Sequence, residues 1–462
     1  MNRFLVLLLL GGAAAAASAQ ALTPLERARI DSAANAVLAG TGAPSASIAV
    51  VRGGVMVYQQ AYGEGRSGTP ATSSMRYAIG SVSKQFTATA LLLLAEEGKL
   101  SLDDKVSRWF PKLTRASEIS LRQLLSMTSG YQDYWPQDYV FTAMQSATTA
   151  DAIVQKWAGQ PLDFAPGAQW QYSNTNYVIA AAVVEKVSGM PFMDFLRQRI
   201  FTKLGMTSVA DFDSGPLTAS DAGPFLRNGV GPLRAAPKEA PRWLFGAGQL
   251  AMTAQDLATW NIAMIRQSVL KPASYKEQQR ATLLNNGTVT GYGLGINVGM
   301  SGPRRRLSHG GAVSGYTTSN TVFPDDQVAI TVFTNIYPGG GGAADQIAGR
   351  ISNILFATSD TVGSGARELA RNVYNGLMRG TIDRSLFTDN ANAYFSAEVL
   401  ADYSASLGKL GDPTEFAGGG GGLRGGLMIR GYRIRAGGMM LNLTMMLRPD
   451  GKIEQYIVER AG

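Results

Sequence analysis

Apolar residues at positions 30, 33, 34, 37 and 38 recur at the three-and-four spacing of one helix face. Ahead of them, Thr23-Pro24-Leu25-Glu26 has the pattern of a capping box with proline at the first helical position. The pattern predicts a helix that Gly40 stops. Two β-prone runs follow, SIAVV and VMVYQQAY, on either side of Gly53-Gly54, which predicts a hairpin. From Ala88 to Ala95 apolar residues surround the axis, so the helix predicted over 84–97, stopped by Gly98, is buried on all sides. A second helix over 177–188 ends at Gly189 in the same way. Residues 211–245, rich in Gly, Pro and Ala, read as an irregular surface excursion. Strand character returns in YGLGINVGM, TTSNTVF and QVAITVFTNI, with a turn at Pro324-Asp325-Asp326, before a helix over about 343–356.

Strands at both ends of this region thus enclose a helical centre. The simplest packing is α+β: one antiparallel sheet joins the early hairpin to the late strands. Terminal helices cover one of its faces and the buried helix the other, beside a helical subdomain. The main domain is expected over 22–358 and a linker over 359–365. A small accessory α+β domain is expected over 366–462, with a helix and then strands such as LMIRGYRIRA, MMLNLTMML and IEQYIVER. The glycine runs 339–342 and 418–422 lack a following Lys-Ser/Thr pair and read as flexible turns rather than phosphate cradles.

Composition narrows the chemistry. The 462 residues contain no cysteine and one histidine, His309. Disulfides, thiol nucleophiles and zinc-hydrolase sites, which need two or three His or Cys ligands, are excluded, and neither a cofactor nor a metal is expected. A net charge of +8 without a long basic run gives no reason to expect nucleic acid. At the N-terminus, Arg3, the apolar stretch Phe4 to Ala17 and Ala17-Ser18-Ala19 have the form of a signal peptide, cleaved after Ala19 or Ala21. The stretch falls short of the ~20 residues that span a bilayer. Export, to the periplasm, with no stable membrane span after cleavage, is the expectation; oligomeric state is not legible.

Three short motifs carry candidate chemistry. In Ser81-Val82-Ser83-Lys84, a serine opening the buried helix would share a face with the lysine three positions on. Burial disfavours an ammonium, and a neutral amine beside a hydroxyl is a general base. In Tyr172-Ser173-Asn174, an extended backbone would turn the phenol and the amide to the same side, to relay protons and hold a carbonyl. In His309-Gly310-Gly311-Ala312, expected just before a strand, glycines admit substrate close to the backbone, and the Ala312 N–H would pair with that of Ser81 as an oxyanion hole. Each motif alone has an ordinary structural explanation: a capping serine with a surface lysine, a turn into a helix, an exposed histidine beside Arg304–Arg306.

Together, in this order and with the phrases YAIGSVSKQFTATALLLLAEEGKLSLDDKV, ISLRQLLSMTSG and PGAQWQYSNTNYVIAAAVVEKVSG, they resemble the serine β-lactamase-related family over most of residues 25–355. That family includes class C β-lactamases, D-alanyl-D-alanine carboxypeptidases, D-aminopeptidases and esterases. The resemblance implies Ser81 as acylated nucleophile, Lys84 and Tyr172 as proton shuttles, and Asn174, His309, Gly311 and Ala312 at the substrate, a small molecule or peptide. His309 stands where β-lactamases carry lysine, and Met127 where relatives commonly carry histidine. A histidine half-neutral near pH 6.5 would hold an anionic substrate less well than a lysine. The C-terminal region bears a looser similarity to nuclear-transport-factor-like domains. The rivals are a β-lactamase proper, a non-catalytic cell-wall peptide binder, and a Ser-His-Asp esterase, which lacks its G-x-S-x-G elbow here. Aromatics Tyr131, Tyr134, Trp135 and Tyr139 are either pocket rim or core.

Overall fold

The computed structural model describes residues 21–137, 139–357 and 361–461; the segment read from sequence as a signal peptide lies outside the described residues. Among the described residues no helix is long and apolar enough to cross a membrane. Helix α1 (Pro24–Thr41) begins with the capping box: Thr23 Oγ1 accepts from the Glu26 N–H at 3.1 Å, and Glu26 accepts from the Thr23 N–H at 2.7 Å. It runs through the expected stop at Gly40 and ends at Gly42, whose φ of 67° supplies the left-handed cap. Strands β1 (Ser45–Arg52) and β2 (Val55–Arg66) form the hairpin, with Gly53 and Gly54 both at positive φ, and β3 (Thr69–Pro70) follows.

The helical layer is built on α2 (Ser83–Glu96), α3 (Asn174–Ser188) and α4 (Ala254–Arg266). Every residue of α2 from Ser83 to Leu94 is buried, as its apolar girth requires. Its four consecutive leucines each contribute about 2 kcal/mol of burial, enough to keep a polar passenger inside. Strands β4 (Asn297–Ser301), β5 (Arg304–Val313), β6 (Tyr316–Phe323) and β7 (Val328–Thr334) return, followed by α5 (Ala343–Ala357). The sheet is antiparallel and seven-stranded, in the order β3-β2-β1-β7-β6-β5-β4, so β1 and β7 lie side by side.

Register decides what covers each face. Tyr58 and Tyr62 pair with Val50 and Ala46 and reach Asp31 of α1 on one side. Thr331 pairs with Ala49 and Asn320, and on that opposite side both polar groups bond Asn261 of α4. Helix α4, not the buried α2, therefore covers the second face; α2 packs against α3 one layer further in. His309 pairs with Asn320, so it too points toward the helical layer.

Several boundaries differ from the sequence reading. Residues 292–296 precede β4 rather than extending it. The His309–Ala312 motif lies inside β5, because its glycines accept the close packing that an edge-proximal strand makes here. The chain divides into two compact units, the second running Phe356–Gly462. Residues 361–365, read as linker, belong to helix α6 (Thr361–Met378), where two glycines fail to break the turn. The second unit carries an antiparallel sheet of β8 (Glu415–Arg424), β9 (Leu427–Ala436), β10 (Met439–Leu447) and β11 (Ile453–Arg460). The glycine run 418–422 lies within β8 instead of a turn, with a bulge between Gly418 and Gly421, since ladder hydrogen bonds need no side chains. Residues 339–342 do form the expected turn, with positive φ at Gly339, Gly341 and Gly342.

Candidate active site

Ser81 sits in a single 3-10 turn, Gly80–Val82, that precedes α2 instead of opening it. Gly80 has φ 50°, and a Cβ there would lie 2.6 Å from the Ala312 nitrogen. A Cβ on Gly311 would fall 1.9 Å from the Ile79 oxygen and 3.2 Å from the Ser81 nitrogen. Only paired glycines let the nucleophile turn and β5 touch backbone to backbone. The turn thus brings the Ser81 and Ala312 backbone segments together.

Lys84 is fully buried on the first turn of α2. Its Nζ lies 2.9 Å from Ser81 Oγ, 2.8 Å from Asn174 Oδ1 and 2.9 Å from the Ala247 carbonyl oxygen. Burial lowers its pKa from the usual lysine range to about 7, against the opposing pull of the Asp133 charge. Nζ also stands 4.9 Å from the Tyr172 ring centroid, so the phenol belongs to the same cluster. Asn174 is the first residue of α3, not part of an extended segment with Tyr172; Ser173, with φ −146° and ψ 116°, makes the change of direction. A helix start presents the amide to Lys84 as well as a strand would.

His309 is buried, not a surface histidine. Its Nδ1 meets the Gly310 carbonyl oxygen at 2.6 Å, so the proton resides on Nδ1, and Nε2 accepts from the Tyr292 hydroxyl at 2.9 Å. Desolvation and the nearby Lys84 charge lower its pKa to about 4. The expected half-neutral ring near pH 6.5 is therefore corrected: His309 is a neutral fixture across roughly pH 5 to 8. Activity should rise with pH through an apparent pKa near 7 as Lys84 loses its proton, with no inflection from His309; a kcat–pH profile that falls across this range contradicts the assignment.

Ser81, Tyr172, Asn174 and His309 line a cavity of about 570 Å³, with Lys84 buried behind them. Its walls include Tyr134, Trp135, Trp170, Tyr292 and the Gly339–Gly342 turn. Of the four aromatics left open by the sequence, Tyr134 and Trp135 are both buried and cavity-lining, Tyr131 is core, and Tyr139 is exposed. Among the described lining residues the charged side chain is Asp345, on the first turn of α5. Met127, with φ 62°, accepts from the Ser173 N–H and the Asn176 amide through its sulfur. It shapes the Tyr172–Asn174 bend without moving a proton.

Sequence reasoning missed Ala247, Tyr292 and Asp133. Ala247 acts through its carbonyl, which no side-chain motif records. That carbonyl is fixed because Gly246, at φ 68°, packs on α3, where a Cβ would meet Tyr177 O at 2.6 Å, and Thr87 Oγ1 donates to Gly246 O. Asp133 lies behind Asn174: its Oδ1 accepts from the N–H of Asn174 at 2.9 Å and of Trp135 at 3.2 Å. Its Oδ2 is 3.3 Å from Asn174 Nδ2.

A sheet backed by a helical layer, with a serine and a buried amine at their seam, defines a class: serine hydrolases. Residues 13–351 match the Beta-lactamase family model, and the chain belongs to that family. It is 27% identical over 305 residues to penicillin-binding protein 4* of Bacillus subtilis, covering 63% of this chain and 67% of that protein. It is also 27% identical over 322 residues to a D-aminopeptidase of Brucella anthropi, covering 69% of this chain and 60% of the aminopeptidase. The match thus spans less than two thirds of the aminopeptidase's length. Among solved structures, a D-stereospecific amidohydrolase from Streptomyces sp. superposes with a TM-score of 0.60 at 26% identity, covering 71% of this chain and 97% of that one. An octameric penicillin-binding protein homologue from Pyrococcus abyssi shares the fold at a TM-score of 0.61, with 18% identity, over 94% of this chain and 99% of that one.

Proposed function

We propose that the protein hydrolyses a small amide or ester with a D-amino-acid acyl group, by two-step acyl transfer through Ser81. The observation that carries this is the position of Lys84 Nζ, 2.9 Å from Ser81 Oγ, in a site where burial favours the free amine. Lys84 takes the hydroxyl proton as Oγ bonds to the carbonyl carbon, and the carbonyl π electrons move to oxygen, facing the N–H groups of Ser81 and Ala312. As the C–N or C–O bond breaks, Tyr172 gives its proton to the leaving group and takes in its place the one Lys84 had accepted. Water then attacks the acyl carbon, its proton passing through the same groups to Ser81 Oγ as the acyl–oxygen bond breaks, which releases the acid and restores the free amine. Asn174 holds Lys84 and the substrate; His309, Gly311 and Ala312 form the wall beside the reacting carbonyl.

The electrostatics of the cavity favour neutral or ammonium-bearing substrates over carboxylates. His309 is uncharged, and Asp345 contributes an anion rather than a cation. A panel of D-alanine p-nitroanilide, a D-alanyl-D-alanine peptide, a chromogenic cephalosporin and p-nitrophenyl acetate tests the reading. The anilide is expected to exceed both carboxylate substrates in kcat/KM by at least about tenfold. A cephalosporin turned over faster than the anilide would favour the β-lactamase alternative. The Ser-His-Asp rival finds no support, because the His309 ring bonds a carbonyl and a phenol rather than a carboxylate. We read residues 366–462 as an accessory domain, and the N-terminal segment as an export signal that would put the activity in the periplasm.

A further inference from the structure

We infer that Asp133 is a positioning residue: it fixes which way the Asn174 carboxamide faces, and so aims the nitrogen lone pair of Lys84 at Ser81. The inference rests on the acyl-enzyme reading, which makes Lys84 the proton acceptor. A neutral amine has two N–H groups and one lone pair, and three oxygens surround Nζ at 2.8 to 2.9 Å. The Ala247 carbonyl can only accept, which commits one N–H. If Asn174 presents its oxygen, the second N–H is committed too, and the lone pair is left for the Ser81 hydroxyl.

Turned over, the carboxamide would place its NH2 against Nζ and occupy the lone pair. An amine N–H would then point at Ser81 Oγ, and the serine proton would have no acceptor. Nothing in the outline of the amide separates these two states, since its oxygen and nitrogen are nearly the same size. Asp133 separates them. Burial raises the Asp133 pKa, against the pull of the Trp135 and Asn174 N–H groups that anchor it to the start of α3 and of the Lys84 charge. As the carboxylate it accepts and does not donate. The overturned amide would set its oxygen against Asp133 Oδ2 at about the 3.3 Å now occupied by Nδ2, acceptor against acceptor. The same carboxylate supplies the anion beside which the Lys84 ammonium forms once it has taken the serine proton, and the Asp133 charge already raises the lysine pKa against burial.

Two variants test this: Asp133→Asn, which keeps shape and loses charge, and Asp133→Ser, in case the first does not fold. The titration of Lys84 is followed by NMR of protein carrying 13Cε-lysine, its resonance assigned from the Lys84→Met spectrum. Turnover of p-nitrophenyl acetate is measured alongside. The Lys84 pKa is expected to fall by about one unit or more, carrying the acid limb of the kcat profile with it. At its optimum kcat should fall roughly a hundredfold, with KM within about threefold of wild type. A residue that merely supported the loop would lower the folded fraction and leave the limb in place. An unmoved Lys84 titration with kcat within about threefold of wild type overturns the inference. If wild-type protein failed to turn over any substrate, the acyl-enzyme reading would fall, and the Lys84 titration would still decide whether Asp133 acts on the amine.

Discussion

Ser81→Ala should give a folded protein that forms no covalent adduct with an acylating substrate and turns over at least about four orders of magnitude more slowly. The loss is large because Oγ is the atom that bonds to carbon, and no neighbour replaces it. Lys84 Nζ faces the vacated position but is held by Asn174 and Ala247. His309 is committed to Gly310 and Tyr292. Removing one hydroxyl from a half-buried turn leaves α2 and its leucines in place, so the circular dichroism spectrum should not change. Intact-mass spectrometry during turnover, with kcat beside it, checks both halves. Retention of activity within tenfold of wild type would end the proposal, and a wild-type protein that no acylating probe labels would favour a peptide-binding role.

Gly311→Ala should be nearly as damaging for a different reason. The added methyl would stand 1.9 Å from the Ile79 oxygen and 2.8 Å from its carbonyl carbon, both backbone atoms with no freedom to rotate away. The nucleophile turn and β5 must then separate by about 1 Å, which carries the Ser81 N–H away from the Ala312 N–H. Loss of one oxyanion donor costs roughly a hundredfold to a thousandfold in kcat, and this substitution displaces the pair. Gly310→Ala is the comparison. Its methyl would meet Thr318 O at 3.7 Å, an ordinary contact, so its loss should be far smaller. Equal kcat values for the two variants would mean that the contact between turn and strand plays no part in the chemistry.

The elements that read clearly from sequence are those whose physics is local. The Thr23 capping box, the Gly53-Gly54 hairpin and the all-round apolar α2 are each decided within about a dozen residues, and each stands where expected. Stops were less legible. Gly40 is an inner turn of α1 because a glycine ends a helix only when its backbone goes left-handed, and that happens at Gly42. The glycines of 418–422 pair as strand because β9 lies alongside, which local pattern cannot reveal. At the site, the proximity of Ser81, Lys84, Tyr172 and Asn174 is what their short side-chain motifs suggest, and the structure brings the four together. The His309 environment was not legible. Its arginine neighbours in sequence, Arg304 and Arg305, pair with Asp326 and Asp325, while the ring turns inward to Tyr292. Asp133 carried no signal, since its meaning depends on an amide forty-one residues further on.

The adjacency of β1 and β7 has a consequence for how the molecule comes into being. Val50 finds its partner at Ile330, so the middle of the sheet cannot close until most of the first unit has been synthesised. Contacts of such long range carry a heavy loop-closure entropy and slow the search for the native state. A nascent chain ending short of β7 would hold Ser81, Lys84, Tyr172 and His309 and still lack the strand that joins the two halves of the sheet.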